Sequence, residues 1–438
     1  MQKSKFNILF SENGNNYLFN TYSKKFVQLK KETYEIVKDL LDAEDIRLNE
    51  NRELENKLLE YGFLVEDETR ESLESLRQQC EELVMGETLH ITMMMTYNCN
   101  LKCVYCFQKH IKNSFMSNAT IESVKDFIRN EISKNHIKRL YVEWFGGEPL
   151  IYKERLIYLH KEFRKIAKEF KIPYYSRITT NGYELDINTF MELYQNHCFI
   201  YYISLDGLKD IQDKQRPHKS GKGSYDVIIN NLKMIHKLVK TNNFRIEVRV
   251  NCMLSSLANL NEFILNYKEL FECDERFALV LDIVQNWGEK TECMQDDLID
   301  KKLLVDIANF AKQNNVALAN FTLDSLETQI CQAAKKNAYS IFYDGNIIKC
   351  QMALEQPLYS DVNVVGHVVN GVIEEKMKKW VNHLIPEECE NCIALPLCYG
   401  KKCVFQTNIK KEACVGVREK LVSQIHLEQM LNEDLEVI

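Results

Sequence analysis

The stretch Thr96-Tyr-Asn-Cys99-Asn-Leu-Lys-Cys103-Val-Tyr-Cys106-Phe carries three cysteines, separated by three and then by two residues. It follows Leu89–Met95, an apolar run that predicts a buried strand. In a chain without a secretion signal, such cysteines are more often metal ligands than disulfide partners. Three thiolates suit an iron–sulfur cube, because its fourth iron stays open for another ligand. A zinc site is the alternative, but zinc sites usually pair cysteines two residues apart and close with a fourth ligand.

Cys99, Cys103 and Cys106 resemble the cluster motif of radical S-adenosylmethionine (SAM) enzymes, and the aromatic Tyr105 also fits that family. The resemblance implies a 4Fe-4S cluster that binds SAM through its open iron. In that family an electron from the reduced cluster cleaves SAM to methionine and a 5′-deoxyadenosyl radical. The radical then abstracts a hydrogen from an unactivated carbon, so the resemblance predicts a radical SAM oxidoreductase.

Length and composition limit the remaining possibilities. A chain of 438 residues is too long for one ordinary core and predicts two or three domains. The net charge of -7 argues against nucleic acid as the main partner. No stretch approaches the roughly 20 apolar residues of a membrane span, and the first residues lack an apolar signal core. These features predict a cytoplasmic protein, and the clustering of most of its 15 cysteines in two places favours metal binding.

Strand-like runs alternate with amphipathic helices from residue 88 onward. This alternation implies a parallel sheet covered by helices, hence an α/β fold. Six such units fit the partial (β/α)6 barrel of the radical SAM family, predicted over residues 88–320, with its active site at the C-terminal ends of the strands. The strand-like runs are Leu89–Met95, Leu140–Phe145, Ser176–Thr180, Phe199–Leu205, Arg245–Met253 and Phe277–Val284.

The segment Gly146-Gly147-Glu148-Pro149 follows the second of these strands. Glycines let a backbone approach a ligand closely, and Glu148 offers a carboxylate to an ammonium group. In the resembled family this segment holds the amino group of the methionine portion of SAM. A plain turn is the alternative for the segment taken alone.

Polar residues also end the third, fourth and fifth strands. Asn181 lies in Thr180-Asn-Gly182, while Ser204 and Asp206 lie in Ser204-Leu-Asp-Gly207. Both segments resemble those that line the SAM pocket, although ordinary strand-to-helix turns have the same composition. By resemblance Arg249 reaches the SAM carboxylate, and a structural ion pair is the alternative.

Two further features of the barrel region leave their roles open. No catalytic residue can be assigned, because Asp206, Glu143 and His90 are candidates for a general base without a ranking. The segment Gly221-Lys-Gly-Ser224-Tyr is not a phosphate loop, since the Walker pattern is absent. It predicts a loop before a helix capped by Ser224.

Residues 1–75 are predicted to form a small domain. Asn13-Gly14 between two short apolar runs predicts a hairpin, and Lys25–Leu29 predicts a third strand. Three strands followed by short helices resemble the winged-helix recognition element (the RiPP recognition element) of enzymes that modify ribosomally made peptides. There a leader peptide adds a strand to the sheet edge. A generic winged helix is an alternative, whereas DNA binding needs a basic face that is not evident. Residues 76–87 are predicted to be a helical linker.

The C-terminal third, predicted as one domain over residues 321–438, carries seven ordered cysteines. They resemble the SPASM extension of radical SAM enzymes, which holds two auxiliary 4Fe-4S clusters. Carried over by position, the outer cluster takes Cys389, Cys392, Cys398 and Cys414, and the inner cluster takes Cys331, Cys350 and Cys403.

Two features depart from that pattern or leave it incomplete. Four residues separate Cys398 from Cys403 where the family usually has three. The inner cluster has three obvious protein ligands, so its fourth is either a substrate thiolate or a group from elsewhere, such as Cys293, Cys273 or a carboxylate. A zinc ribbon over residues 389–403 is the alternative for that stretch alone. Cys80, Cys198 and Cys252 are expected to be structural thiols.

Taken together, the three regions resemble peptide maturases that cross-link ribosomally synthesised precursor peptides, most directly through thioether bonds. The resemblance implies SAM, three 4Fe-4S clusters, a precursor peptide whose leader binds the N-terminal domain, and an electron donor such as a flavodoxin or ferredoxin. It implies no nucleic-acid or membrane partner. Carbon–carbon cross-linking, epimerisation, sulfatase maturation to formylglycine and a non-catalytic DNA-binding regulator remain alternatives.

Overall fold

The computed structural model describes most of the chain and divides it into two compact units. Unit 1 comprises residues 1–85, 321–335 and 381–438, and unit 2 comprises residues 86–320 and 336–380. These bounds group the residues differently from the domains predicted from the sequence, which stay predictions. The described residues are 1–12, 14–43, 52–108, 114–284, 295–299, 301–320, 330–355, 360–382, 384–401, 403–409 and 435–438.

The described part of residues 1–85 contributes five strands and three α-helices to unit 1. Their bounds are β1 (Gln2–Lys3), β2 (Asn7–Glu12), β3 (Asn15–Asn20), β4 (Phe26–Leu29), α1 (Lys31–Asp42), α2 (Arg52–Glu60), β5 (Leu64–Val65) and α3 (Leu73–Met85). An antiparallel sheet has the order β2–β3–β4, and β1 pairs with β5. The predicted hairpin and third strand are therefore confirmed.

The sheet β2–β3–β4 buries side chains on both faces, because successive residues of a strand point to opposite sides. On one face Leu18 and Val27 belong to a cluster with buried leucines and valines of α1 and α2. On the other face Phe19 and Phe26 belong to a cluster that includes Leu397. The core of unit 1 thus joins segments from opposite ends of the sequence.

Helix α3 packs against the same distant segment. Leu76, Cys80 and Val84 are buried in one cluster with Leu395 and Tyr399. The predicted helix is confirmed, and its buried stripe makes it part of the unit 1 core. Cys80 is fully buried and burial raises the pKa of its thiol, as expected for a structural cysteine.

Unit 2 is built around six parallel strands that lie side by side in chain order. Their bounds are β6 (Thr88–Met94), β7 (Arg139–Trp144), β8 (Tyr174–Thr180), β9 (Cys198–Ser204), β10 (Arg245–Cys252) and β11 (Phe277–Ile283). Every neighbouring pair in this series is parallel. The six predicted strands and the α/β class are confirmed.

Four later strands extend this sheet beyond β6. They are β12 (Ala338–Phe342), β13 (Asn346–Ile348), β14 (Val364–His367) and β15 (Gly371–Val372). Strand β12 pairs in parallel with β6, and the following pairs are antiparallel. The predicted hairpin before Cys350 is confirmed, with Gly345 in its turn at a φ of 91°.

The α-helices described between residues 114 and 320 cover one face of the parallel strands. They are α4 (Asn118–Lys134), α5 (Lys153–Glu169), α6 (Ile187–Gln195), α7 (Lys209–Gln215), α8 (Tyr225–Leu238), α9 (Leu254–Leu257), α10 (Leu260–Phe271) and α11 (Val305–Gln313). Trp144 of β7 stacks on Phe163 of α5 with ring centroids 5.8 Å apart. No helix in the described part of the chain is both long and apolar enough to cross a membrane.

His160 of α5 is buried in this helix-covered layer. Its Nδ1 accepts hydrogen bonds from Trp144 Nε1 at 3.1 Å and from the Tyr174 hydroxyl at 2.8 Å. Burial lowers the pKa of His160 to about 3, so the imidazole is neutral in the folded protein. In the unfolded chain it protonates near pH 6.5.

This difference predicts an acid dependence of stability. Between pH 6 and 5 the unfolded chain takes up a proton that folded His160 does not, so the free energy of unfolding falls as pH falls. The loss from this group is about 1 kcal/mol per pH unit. Chemical denaturation of the wild type and of His160→Gln at both pH values measures it. The variant is expected to be less stable at pH 7 but to lose less on acidification, and equal losses would contradict the assignment.

Candidate active site

The three-cysteine stretch forms a loop directly after β6, and residues 215–219 hold its backbone. Val104 N donates to Gln215 O at 2.9 Å, and Lys102 N donates to Pro217 O at 2.8 Å. In the opposite direction Lys219 N donates to Asn100 O at 2.8 Å. The loop is therefore anchored along its length, and its shape does not depend on the cysteine side chains alone.

Gly146 and Gly147 hold the start of the same loop from the end of β7. Gly147 N donates to Thr96 O at 3.2 Å, and Glu148 N donates to Asn98 O at 2.8 Å. A Cβ on Gly146 would lie 2.4 Å from Thr96 O, and one on Gly147 would lie 2.0 Å from Asn98 O. Both glycines are thus required by close backbone approach, and the backbone they approach is that of the cysteine loop.

The Glu148 carboxylate joins this region to the end of β8. It is fully buried, and it accepts hydrogen bonds from Leu150 N at 2.9 Å, Thr180 Oγ1 at 2.7 Å and Asn181 N at 2.7 Å. Burial raises its pKa to about 7, although these donors oppose the shift. Pro149 starts the short helical turn that Glu148 caps. Binding of a SAM amino group at Glu148 remains a prediction.

The cysteine closest to these groups is Cys99. Its sulfur accepts from Leu101 N at 3.4 Å and lies 3.8 Å from Asn181 Nδ2. Donors aimed at a sulfur stabilise a ligating thiolate, so this arrangement fits an iron–sulfur ligand. Without a metal, burial raises the pKa of the Cys99 thiol to about 12 and that of Cys103 to about 11. Cluster loading therefore releases these protons.

A site for a single metal ion needs several ligands that converge on one point. Across the described residues, no group of three or more His, Cys, Asp or Glu side chains could hold one metal ion. A 4Fe-4S cube binds each thiolate through a different iron, so its ligands need not converge on one point. The three-thiol donor set of the loop suits a 4Fe-4S cluster, as the motif predicts.

A buried polar network ties the loop to β9 and β10. The Tyr105 hydroxyl donates to Asp206 Oδ2 and accepts from Arg216 at 2.6 Å. Asp206 Oδ1 accepts from Asn251 N at 3.1 Å and Asn251 Nδ2 at 2.8 Å. Asp206 is fully buried, and its side chain has three partners within the protein. This geometry assigns it a structural role, which weakens its candidacy as a general base.

Arg216 is the cation of this network. Its side chain is 8% exposed and lies 4.0 Å from Asp206 Oδ2. Burial opposes its charged form, but Cys103, Tyr105 and Asp206 raise its pKa, so the guanidinium stays protonated. Its Nε is buried without a hydrogen-bond partner. A fixed positive charge therefore lies close to the second cysteine of the motif.

Arg249 and Ser204 are register neighbours on β10 and β9. Arg249 forms an ion pair with Asp282 at 3.0 Å, and its side chain is 44% exposed. This is the structural ion pair that the sequence left open, and contact with a SAM carboxylate stays a prediction. Ser204 is half-buried at the end of β9.

The face of the sheet opposite the helices carries charged and aromatic side chains. Arg177 donates to Glu143 at 2.7 Å, and His90 Nε2 lies 3.7 Å from the same carboxylate oxygen. Burial opposes ionisation of Glu143, but His90 and Arg177 lower its pKa below the usual range. A depressed pKa makes Glu143 a weaker base, so neither it nor Asp206 is an obvious proton acceptor.

One predicted cap is wrong. Ser224 makes no capping hydrogen bond to α8, and its hydroxyl donates to Arg216 O at 2.7 Å. Asp213 Oδ1 instead accepts from the amides of Ser224 and Tyr225 at 2.7 and 2.8 Å. Asp213 lies 11 and 12 residues before the amides that it binds, so a local capping pattern could not predict this contact.

Unit 1 contains most of the predicted auxiliary-cluster cysteines. Cys392 N donates to Cys389 O at 3.0 Å, and Cys398 ends a helical turn over Leu395–Cys398. Cys331 N donates to Lys401 O at 2.8 Å, which brings Cys331 next to the segment that leads to Cys403. Tyr399 and Gly400, which follow Cys398, have positive φ.

Lys401 follows Gly400 and is 1% exposed. Burial lowers its pKa, while the thiols of Cys80 and Cys389 oppose the shift. Its Nζ donates a hydrogen bond to Leu384 O at 2.8 Å, which satisfies the buried side chain within the protein.

The remaining cysteines are more dispersed. Cys350 belongs to unit 2, where its backbone N donates to Asn363 Oδ1 at 2.8 Å. Cys198 and Cys252 are buried, as expected for structural thiols, and Cys273 is exposed. Cys293 and Cys414 lie outside the described residues. The assignment of cysteines to two auxiliary clusters stays a prediction.

Comparison with known proteins identifies the central region. The family model described as the radical SAM superfamily matches residues 93–248, which include the cysteine loop and β7 to β9. Residues 93–248 form a radical SAM domain. This match supports the predicted enzyme class, and a radical SAM domain implies SAM and a 4Fe-4S cluster.

The individual proteins that resemble this chain have low sequence identity to it. The cysteine-type anaerobic sulfatase-maturating enzyme of Clostridium novyi is 29% identical over 153 residues, which is 32% of this chain. The alignment spans 38% of that relative, so the chain matches well under half of its length.

Two solved structures share the fold. Native anSMEcpe with bound AdoMet and Cp18Cys peptide covers 79% of this chain and 100% of its own, with a TM-score of 0.59 and 19% identity. Streptococcus suis SuiB bound to precursor peptide SuiA covers 94% and 97%, with a TM-score of 0.52 and 14% identity.

Sequence reasoning missed two arginines of this region. Arg177 stands among alternating residues of β8, and a charge inside an otherwise buried strand could have marked it. No sequence pattern marked Arg216, because it ends a short helix and its partners come from segments that are distant in the sequence.

Gly147→Ala is expected to disrupt the cysteine loop, because the new Cβ would collide with Asn98 O. We expect iron and sulfide content after anaerobic reconstitution to fall several-fold. Gly221→Ala is the matched control: its site has open space, so its cost is limited to backbone strain at a φ of 83°. Equal iron content in both variants would contradict the collision.

Arg216→Gln is expected to lower the reduction potential of the cluster, because a nearby cation stabilises the reduced, more negative state. The expected shift is on the order of 50–100 mV. Arg216→Lys keeps the charge and should retain most of the potential. A redox titration followed by electron paramagnetic resonance measures both. Equal shifts in the two variants would indicate distortion of the loop and not loss of charge.

Proposed function

We propose that this enzyme modifies a ribosomally synthesised precursor peptide by radical SAM chemistry. The observation that carries the proposal is the convergence of the cysteine loop, Glu148 and Asn181 at the C-terminal ends of β6, β7 and β8. Cys99, Cys103 and Cys106 hold the SAM-binding cluster. Bound SAM supplies a 5′-deoxyadenosyl radical that abstracts a hydrogen from an unactivated carbon.

The chain contributes orientation and a polar surface. Gly146 and Gly147 fix the cysteine loop against β7, and the Tyr105–Asp206 contact fixes it against β9. The face of the sheet that carries Glu143 and Arg177 is charged and half-buried. Such a face suits a peptide with polar groups better than an apolar small molecule.

Two auxiliary 4Fe-4S clusters form the second part of the proposal. The outer cluster is assigned to Cys389, Cys392, Cys398 and Cys414, and the inner one to Cys331, Cys350 and Cys403. The backbone hydrogen bonds that hold Cys392 next to Cys389, and Cys331 next to the segment before Cys403, support this grouping. An external donor such as a flavodoxin or ferredoxin supplies electrons.

The peptide substrate is supported by what related structures contain. One solved structure of the same fold has a bound precursor peptide, and another has a bound peptide together with AdoMet. The sheet β2–β3–β4 supplies a strand edge of the kind that binds peptides by strand addition. We assign residues 1–75 to recognition of the leader.

The bond we favour is a thioether between a cysteine sulfur and a carbon of the core peptide. Its formation would transfer a hydrogen atom from carbon to the 5′-deoxyadenosyl radical and release the thiol proton, and the remaining electron would leave through the auxiliary clusters. Carbon–carbon cross-linking and epimerisation use the same scaffold. Sulfatase maturation is the second candidate, since a curated relative has that activity.

The test is the intact mass of a short peptide encoded beside this gene, after anaerobic co-expression with and without the enzyme. A loss of two hydrogens per cross-link, with a matching loss of alkylatable cysteines, is expected. The control is Cys99→Ala, which should leave the peptide unmodified.

The other outcomes discriminate among chemistries. The same mass loss with free thiols would indicate a carbon–carbon or carbon–oxygen bond. An unchanged mass with SAM still cleaved would contradict this peptide as substrate and favour sulfatase maturation.

A further inference from the structure

The last four residues of the sequence lie along the edge of β4 as an added parallel strand. The bridge joins Gln28 and Val437. Gln28 N donates to Glu436 O, Ile438 N donates to Gln28 O, and Lys30 N donates to Ile438 O, each at 2.9 Å. The segment Leu435–Ile438, which we call the terminal strand, therefore occupies hydrogen-bonding groups that a bare sheet edge would offer to another peptide.

Side chains of the terminal strand fit two subsites. Ile438 is 7% exposed and belongs to the cluster that includes Val27 and Val37. Glu436 forms an ion pair with Lys25 at 3.2 Å and accepts a hydrogen bond from the Tyr61 hydroxyl. The spacing thus presents an acidic side chain to one subsite and an aliphatic side chain, two residues later, to the other.

A groove continues beside this strand. A cavity of about 450 Å³ is lined by residues from the start of β3, the end of β4 and the first turn of α1, together with Val437. Val437 is 48% exposed, so the terminal strand leaves one side of the groove open. A peptide longer than four residues has space to extend along it.

We infer that the edge of β4 is a docking site for an extended peptide, and that the terminal strand occupies it as an internal competitor. This inference rests on the proposed function, because the occupant is the leader of the precursor peptide. The leader segment is expected to carry an acidic residue followed two positions later by an aliphatic residue.

The physical basis is strand addition. Main-chain hydrogen bonds supply affinity without regard to sequence, while the two side-chain subsites supply selectivity. A tethered strand competes at a high effective concentration, so it lowers the apparent affinity of a free peptide in proportion to the fraction of open sites. A leader that matches both subsites and extends into the groove makes contacts that the terminal strand lacks.

A purely structural role for the terminal strand makes a different prediction. In that case the edge serves only to hold Leu435–Ile438, and removal of that segment lowers the stability of unit 1 without a gain in affinity for other peptides. Competition instead predicts that removal uncovers a binding site. Binding to the shortened protein separates the two roles.

The experiment compares the cluster-loaded full chain with a variant that lacks Leu435–Ile438. The probe is a fluorescein-labelled synthetic peptide with the sequence of residues 431–438, and fluorescence anisotropy measures its Kd. We expect binding at least about tenfold tighter to the shortened protein. A probe with Ile438→Asp is the matched control and should bind at least about tenfold more weakly. Equal affinity for the two proteins would overturn the inference.

A charge exchange keeps the inference testable if the shortened protein does not fold. Glu436→Lys in the full chain breaks the ion pair with Lys25 and should increase probe affinity without deleting residues. In the combined variant Lys25→Glu, Glu436→Lys, the pair is restored with reversed charges, so probe binding should fall again. Unchanged affinity across these variants would overturn the inference.

The binding assay tests the docking site separately from the proposed function. The binding assay needs no SAM cleavage, so a docking site can be found even if the co-expressed peptide is unmodified. If the co-expressed peptide is modified but the probe binds equally well with and without the terminal strand, the proposed function stands and the inference is wrong.

Discussion

The close approach of two backbones at Gly146 and Gly147 is the constraint on which the rest of the active site depends. Because neither residue has a Cβ, the carbonyls of Thr96 and Asn98 reach the end of β7. The amides of Gly147 and Glu148 then bind those carbonyls, which fixes the cysteine loop relative to the sheet. The Glu148 carboxylate accepts hydrogen bonds from Thr180 and Asn181, and these bonds hold the end of β8 against the same segment. The site is therefore organised by main-chain geometry before any cofactor contributes.

A buried network of charged side chains also connects the cysteine loop to the sheet. Arg216 and Asp206 are a cation and an anion in an apolar interior, and Tyr105 lies between them with hydrogen bonds to both. Isolated, either charge would be costly, so removal of one partner leaves the other uncompensated. This coupling makes the aromatic residue of the cysteine motif a structural link to β9 and β10. The same charges give the loop an electrostatic environment that the motif itself does not encode.

Much of the fold was predictable because it depends on local patterns. Strand and helix periodicity located β6 to β11, and Asn13-Gly14 located the first hairpin. The structure also brings the predicted motif residues Cys99, Glu148 and Asn181 together, while their roles toward a cofactor stay predictions. The predicted cap failed for a long-range reason, because Asp213 caps α8 in place of Ser224. The sequence also left two partners open for Arg249, which pairs with Asp282 on the neighbouring strand. No local pattern reports which of two competing polar partners a side chain meets after folding.

The discontinuous make-up of unit 1 has a consequence for biosynthesis. Phe6 and Leu76 share a cluster with Leu395 and Tyr399, and the core beside α1 includes Ile438. A ribosome makes the first of these residues long before the last, whereas most of unit 2 is complete once residue 380 has emerged. Unit 2 can therefore fold during translation, while the sheet β2–β3–β4 keeps one aromatic face uncovered until the chain is nearly finished. Until Leu397 has been made, Phe19 and Phe26 lack the partners that cover them in the folded unit, and apolar surface of this kind favours aggregation.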